Sequence, residues 1–320
     1  PETDIYHANL FDFLQPGLGA FVFRTYLNIL AYFPKAYGLM YSWGNKSRLA
    51  TSGGEWVNAF LARRMLKYIN KIKPAAIVCT HATPAGLIAY LRKRHVLSAS
   101  TSAVVTDFVA HRLWIYPEIE TYFVATEEMR EFLAGFGIAT ERSYAMGIPV
   151  EKSFSDFVAH DDVFDKLTLD KNKKTLLLMG GGAGLLPMTD IIKAYEAAGK
   201  SIQIIAIAGK NAELYQKLTS LQPRLNNCVL RPLGFVNNVH ELMAAADLLI
   251  SKPGGITSAE ALCRRLPLVI YRPIPGQEEA NSRYLTGKNV AVSVKTVSEL
   301  VAAVDKIVDD KAVLNSFRLA

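Results

Sequence analysis

The sequence predicts an α/β protein built of two doubly wound domains. Three observations carry that reading. Short apolar, β-branched runs alternate with helix-length stretches in two successive series, the runs of the second series end in turns bearing glycine or proline, and a polar, charged stretch separates the two series. With 320 residues, half of them apolar, the chain is long enough to bury two separate cores.

In the first series, Ala75 to Thr80, Ala103 to Thr106 and Tyr122 to Thr126 read as buried strands, with helices over about 84–94 and 127–136. The stretch 148–172 follows, polar around Asp161-Asp162 and leading into Asp170-Lys171-Asn172-Lys173-Lys174, and the domain junction is expected there. The second series runs through Thr175 to Met179, Ile202 to Ala208, Cys228 to Leu233, Leu248 to Ile250 and Leu268 to Tyr271. The expected domains are 1–150 and 151–320. Two doubly wound sheets of this kind direct their carboxyl ends at a common cleft, where ligands bind.

Charge is distributed unevenly. The formal net charge is +7, yet residues 1–100 hold 12 Lys or Arg against 4 Asp or Glu, while the remaining 220 hold 24 against 25. The same region has eight aromatics between Phe21 and Trp43, Tyr37 among them. A basic, aromatic segment suits an anionic lipid surface, each well-placed Lys or Arg adding about 1 kcal/mol. A helical core for the aromatics and a solvated face for the cations compete with that reading. Arg63, Arg64, Lys67, Lys71 and Lys73 fall on one helix at spacings that suit a snorkelling surface. No nucleic-acid motif accompanies the charge, so nucleic acid is not expected as a partner.

Cys79, Cys228 and Cys263 lie far apart in apolar surroundings without metal-ligand spacing, which predicts reduced core thiols in a cytosolic protein and no zinc site. No apolar run approaches the roughly 20 residues that span a bilayer, and no signal sequence opens the chain. The expected location is therefore cytoplasmic and peripheral on the inner face of the membrane.

The most informative segment is Ser251-Lys252-Pro253-Gly254-Gly255-Ile256-Thr257-Ser258-Ala259-Glu260. Asp247 to Ile250 reads as a strand, Gly254-Gly255 as a turn that lets backbone approach a ligand, and the next helix presents free amides and its positive dipole end. That combination holds a phosphate. Glu260, one turn in, can accept two bonds from vicinal hydroxyls such as those of a ribose. Thr257 can add a hydroxyl bond to a phosphate oxygen; Lys252 can reach a phosphate or sit at the surface. Diphosphate plus ribose means a nucleotide. Pro273-Ile274-Pro275-Gly276 then opens a helix that brings Gln277, Glu278 and Asn281 together, a spacing of amides and carboxylates suited to sugar hydroxyls. In Gly180-Gly181-Gly182-Ala183-Gly184, amides of Gly181 and Gly182 can approach a diphosphate or sugar, but the run lacks both the dinucleotide fingerprint and the Gly-Lys-Ser/Thr of a P-loop.

Gly234-Phe235-Val236, the Lys252–Glu260 segment and the Pro273–Asn281 segment together resemble the nucleotide-sugar half of a GT-B glycosyltransferase. Val105-Thr106-Asp107-Phe108 with His111 and Trp114, Tyr122 to Glu128, and Gly147-Ile148-Pro149-Val150 resemble the first domain of the branch containing monogalactosyldiacylglycerol synthases and bacterial diacylglycerol glucosyltransferases, relatives of the lipid I N-acetylglucosamine transferase. The resemblance spans nearly the whole chain. It implies a GT-B fold of two Rossmann-like domains facing a cleft, and inverting transfer of glucose or galactose from a UDP-sugar to 1,2-diacylglycerol. It implies no cofactor, the UDP-sugar being a substrate, and the lack of an Asp-x-Asp pair agrees with metal independence.

The resemblance also implies main-chain contacts from Phe235 and Val236 to uracil. It places the base on a histidine in a Gly-rich loop that would precede Pro1, so the first domain is expected to be incomplete. His111 and Asp107 are then the remaining catalytic candidates, with acceptor positioning, turn capping and structural roles as competing readings. Trp114, with Tyr37 and Trp43, is the candidate lipid contact, with core packing as the competing reading for Trp114. Alternatives are the lipid I transferase, a nucleotide-sugar epimerase of similar fold, and a non-catalytic, membrane-docking UDP-sugar sensor.

Overall fold

The structure, a computed structural model, describes residues 3–13, 25, 55–158, 160–180 and 186–320. Gly181, Gly182, Tyr37, Trp43 and the other aromatics between Phe21 and Trp43 lie outside the described residues. The chain divides into two compact units, Pro1–Ile148 with Pro275–Gln277, and Pro149–Ile274 with Glu278–Ala320.

In the first unit, helix α1 (Glu55–Ile72) buries Leu61, Ala62, Met65 and Ile69, spaced to form one helical face. Arg63, Arg64, Lys67 and Lys71 are exposed on it, and Lys73 follows the helix at φ 53°. β1 (Ala76–Cys79), α2 (Ala82–Lys93), β2 (Ser100–Val104), β3 (Thr121–Val124), α3 (Glu127–Gly135) and β4 (Ser143–Ala145) follow. The four strands are parallel in the order β1-β2-β3-β4, with Cys79 opposite Ala103 and Val104 opposite Phe123. β2 starts earlier than the expected Ala103 because its polar opening is satisfied internally. Thr101 is fully buried, its amide donates to Glu120 at 3.0 Å, and its hydroxyl accepts from the Glu120 amide at 3.3 Å.

The second unit begins with α4 (His160–Leu167), then β5 (Thr175–Met179), α5 (Met188–Ala197), β6 (Gln203–Ile207), α6 (Ala212–Leu221) and β7 (Val229–Leu233). It continues through α7 (Val239–Ala245), β8 (Leu248–Ser251), α8 (Gly255–Cys263), β9 (Leu268–Tyr271), α9 (Gln277–Gly287), β10 (Ala291–Val294), α10 (Val297–Val308) and α11 (Lys311–Leu319). All six strands are parallel, in the order β10-β9-β8-β5-β6-β7. Leu176, Leu177, Leu178, Leu248, Leu249 and Ile250 are each 0% exposed, which explains why these strands read as unbroken apolar runs.

The polar stretch expected to join the domains belongs, from Pro149 onward, to the second unit. α4 buries Val163 and Phe164, and Arg231 donates to the carbonyls of Leu167 and, at 2.7 Å, Thr168. Gln203, 1% exposed, accepts from the Asp170 amide at 2.6 Å and donates to the Asp170 carbonyl at 2.9 Å and the Thr175 hydroxyl at 3.1 Å. Replacing it strands the buried Thr175 hydroxyl and removes two bonds to the main chain of the exposed Asp170, so Gln203→Leu is expected to cost about 1–3 kcal/mol in urea unfolding. Cys79 and Cys228 are buried, with thiols pushed by burial up to about 12 and about 11. The expectation of a third core thiol is corrected: Cys263, the last residue of α8, is exposed.

Candidate functional site

In the six-stranded sheet the strand order reverses between β5 and β8, the place where an open parallel sheet leaves a crevice beyond its carboxyl ends. Leu178 pairs with Ile250 and Met179 with Ser251, and the buried Ser251 hydroxyl donates to the Met179 carbonyl at 2.9 Å, fixing the two strand ends together. The Lys252–Gly254 turn leaves β8 here and enters α8.

Gly254 is the N-cap of α8 and supplies no side-chain cap, whereas Thr126 caps α3, Asn211 caps α6 and Thr296 caps α10 through their side chains. The first amides of α8 therefore point outward with the positive end of the helix dipole behind them. At φ −64° and ψ 136° Gly254 has a conformation open to any residue. A Cβ built on it meets no heavy atom of the described residues within 4 Å. Open space is what this glycine preserves.

Glu260 lies within α8 and is partly buried, with no hydrogen bond or ion pair for its carboxyl among the described residues. Burial, reinforced by the Glu151 carboxylate, pushes its pKa up to about 7. Thr257 is partly exposed in the first turn of α8.

A second segment supports this turn. The chain leaves β9 through Arg272 at φ 45° and passes Gly276 at φ 104°, a value that requires glycine, before α9 begins. The Lys252 ammonium donates to the Arg272 carbonyl. Burial holds that ammonium below the usual lysine range, opposed by nearby Glu278. Glu278 accepts from the Ile274 amide at 2.7 Å, and its carboxyl lies above the usual range because of burial. Asn281 is 1% exposed, and its amide donates to the Pro253 carbonyl at 3.2 Å. It ties α9 to the β8–α8 turn, a positioning contact that the spacing of amides and carboxylates did not reveal. On the same rim of the sheet, Phe235 follows β7 with 64% of its surface exposed, and Val236 is partly buried.

The first unit gathers a different group. Asp107 and His111 are each 5% exposed. Gln277, which belongs to this unit, donates its side-chain amide to the Asp107 carboxylate. His111 Nδ1 accepts from the Leu113 amide at 3.1 Å, so in the neutral ring the proton sits on Nε2. His81 caps α2 the same way, with Nδ1 accepting from the Thr83 amide at 3.2 Å. Burial lowers the His81 pKa, and the Asp107 charge opposes that shift. The expectation that Trp114 contacts lipid is corrected. It is 5% exposed, packs in the core of this unit and lies 6.4 Å from the His81 ring. Among the described residues, no group of three or more His, Cys, Asp or Glu is placed to hold a metal ion, and no helix is long and apolar enough to cross a membrane.

Two parallel-sheet α/β units, with an uncapped helix entering beyond the carboxyl end of one sheet, define a GT-B class of protein. The profile of the monogalactosyldiacylglycerol (MGDG) synthase family matches residues 2–150, and that of group 1 glycosyl transferases matches residues 160–318. The processive diacylglycerol beta-glucosyltransferase of Bacillus cereus (strain G9842) is 31% identical over 307 residues, 96% of this chain and 78% of that protein. The protein of the same name from Bacillus thuringiensis (strain Al Hakam) is 30% identical over the same shares. Among solved structures, Acinetobacter baumannii MurG matches with a TM-score of 0.55 at 16% identity, over 81% of this chain and 71% of that one. The UDP co-structure of S. aureus MnaA matches with a TM-score of 0.59 at 14% identity, over 82% and 73%. These structural likenesses carry the fold. The chain belongs to the monogalactosyldiacylglycerol synthase and processive diacylglycerol glucosyltransferase family of glycosyltransferases.

Proposed function

We propose that this protein moves a hexose, glucose or galactose, from a UDP-sugar to the free hydroxyl of 1,2-diacylglycerol, with inversion, while peripherally bound to the inner face of the cell membrane. The observation that carries the proposal is 31% identity across 96% of the chain to an enzyme named for that transfer. MurG, which would favour lipid I as acceptor, is similar at 16% identity and supports the fold alone.

In this reading the acceptor oxygen attacks the anomeric carbon, the bond from that carbon to the diphosphate oxygen breaks, and UDP leaves with the bonding electron pair. The acceptor proton passes to a base. The amides of α8, the space beside Gly254 and the Thr257 hydroxyl receive the diphosphate and its developing charge, as preorganised donors do. Lys252 adds a positive charge beside them. Glu260 holds the ribose, Gln277 and Glu278 hold the sugar, Asn281 fixes the turn, and Gly181 and Gly182 supply further amides. Phe235 and Val236 meet the uracil through their main chain. Because His111 Nδ1 is engaged, its Nε2–H is a donor, which supports a role in orienting the acceptor, with the Asp107 carboxylate accepting from the acceptor hydroxyl. The domain assignment follows as 1–150 for the acceptor and membrane and 151–320 for the UDP-sugar.

The basic face of α1, with Tyr37 and Trp43, is assigned to anionic headgroups. Co-sedimentation with vesicles containing anionic lipid and none with neutral vesicles is the expected result, weakening as salt rises. The function itself is tested by incubating the protein with diacylglycerol or lipid I in mixed micelles and UDP-glucose, UDP-galactose or UDP-N-acetylglucosamine, then identifying products by mass spectrometry. Hexosyl-diacylglycerol is expected. Transfer to lipid I alone, epimerised UDP-sugar, or UDP-sugar binding without any product would each contradict the proposal, the last supporting a sensor.

A further inference from the structure

Phe235 is a large apolar ring left 64% exposed where β7 ends, and beside it stands a cation that the roles above leave unused. β6 and β7 run in register, Ile207 opposite Leu233, and the Ala208 amide donates to the Leu233 carbonyl at 2.8 Å. Gly209 then turns the chain at φ 59°, and Lys210 emerges with its Nζ 5.3 Å from the centre of the Phe235 ring. That distance lies within the range of a cation–π contact. Lys210 is exposed and makes no ion pair among the described residues, so the ring holds the ammonium over this rim with its donors directed at no carboxylate.

We infer that Lys210 is a specificity-determining residue for the nucleotide base, donating to the carbonyl at C4 of uracil. The inference rests on the proposed donor site. An ammonium has donors and no acceptor, so it suits a carbonyl and rejects an amino group. Uracil presents a carbonyl where cytosine and adenine present amino groups. β7 lies three strand spacings from β8, about 14 Å along the sheet, so a group at Phe235 stands well apart from the diphosphate at α8. That separation favours contact with the base over contact with a phosphate. The Phe235 ring limits the freedom of the long lysine side chain and so lowers the entropy lost on binding.

The test is calorimetric titration of the wild-type chain, Lys210→Ala and Lys210→Arg with UDP, CDP and ADP. Lys210 is exposed and its removal leaves no buried group unpaired, so the fold is expected to survive, as circular dichroism would report. For Lys210→Ala, UDP affinity is expected to fall about tenfold with little change for CDP and ADP, as for one charged hydrogen bond lost. Lys210→Arg is expected to restore most of the preference. An equal loss for all three nucleotides would identify a phosphate contact and overturn the inference, and an unchanged UDP-to-CDP ratio would overturn it too. Failure of the wild-type chain to bind UDP would instead remove the donor site on which the inference rests.

Discussion

Gly254→Val leaves the protein folded and abolishes UDP binding. The added side chain meets no described heavy atom within 4 Å of its Cβ, and the backbone at φ −64° and ψ 136° accepts a β-branched residue without strain. The folding cost is that of a weaker N-cap, under about 1 kcal/mol. The branched carbons instead occupy the space where a diphosphate must approach the first amides of α8. Thermal unfolding of the variant without ligand should therefore fall within a few degrees of wild type, and the stabilisation that saturating UDP gives wild type should vanish. Equal stabilisation of both proteins by UDP would place the diphosphate elsewhere.

Glu260→Gln is expected to lower UDP affinity at pH 8 by about tenfold or more and to remove its dependence on pH. Burial first, and Glu151 second, raise the Glu260 pKa from 4.5 to about 7. The folded protein thus holds a proton that the unfolded chain releases between those values, so the unliganded protein loses stability as pH rises from about 4.5 to about 7. Ribose hydroxyls donate to the ionised carboxylate and favour it. UDP binding should accordingly strengthen as pH rises through 7, and below 7 it should release a proton, visible as a dependence of the titration enthalpy on the ionisation heat of the buffer. In Glu260→Gln both the proton release and that part of the stability profile should disappear.

The strands of the second unit were legible because burial on both faces writes them as continuous apolar runs, and Thr175–Met179 and Leu268–Tyr271 fall where the sequence places them. Two short edge strands were not. Ser143–Ala145 and Ala291–Val294 have three and four residues, and Tyr144 is exposed, so no apolar run marks the first of them. Glycine turns made the β8–α8 segment readable, since glycine spacing reports backbone geometry directly. The long-range partners stayed hidden because spacing within one segment carries no record of them. The bond from Asn281 to Pro253, the bond from Lys252 to the carbonyl of a left-handed Arg272, and the Lys210 ammonium over Phe235 join residues 20 or more positions apart. Trp114, which the sequence leaves between a lipid contact and core packing, fills the core of the first unit.

The measurement that bears most directly on the donor site is calorimetric titration of the chain with UDP, UDP-glucose, UDP-galactose and UDP-N-acetylglucosamine in the presence of a metal chelator. Saturable one-to-one binding of UDP, with UDP-glucose or UDP-galactose bound in preference to UDP-N-acetylglucosamine, is the predicted result. A folded chain that binds none of the four would contradict the assignment of the β8–α8 turn as a nucleotide-sugar site.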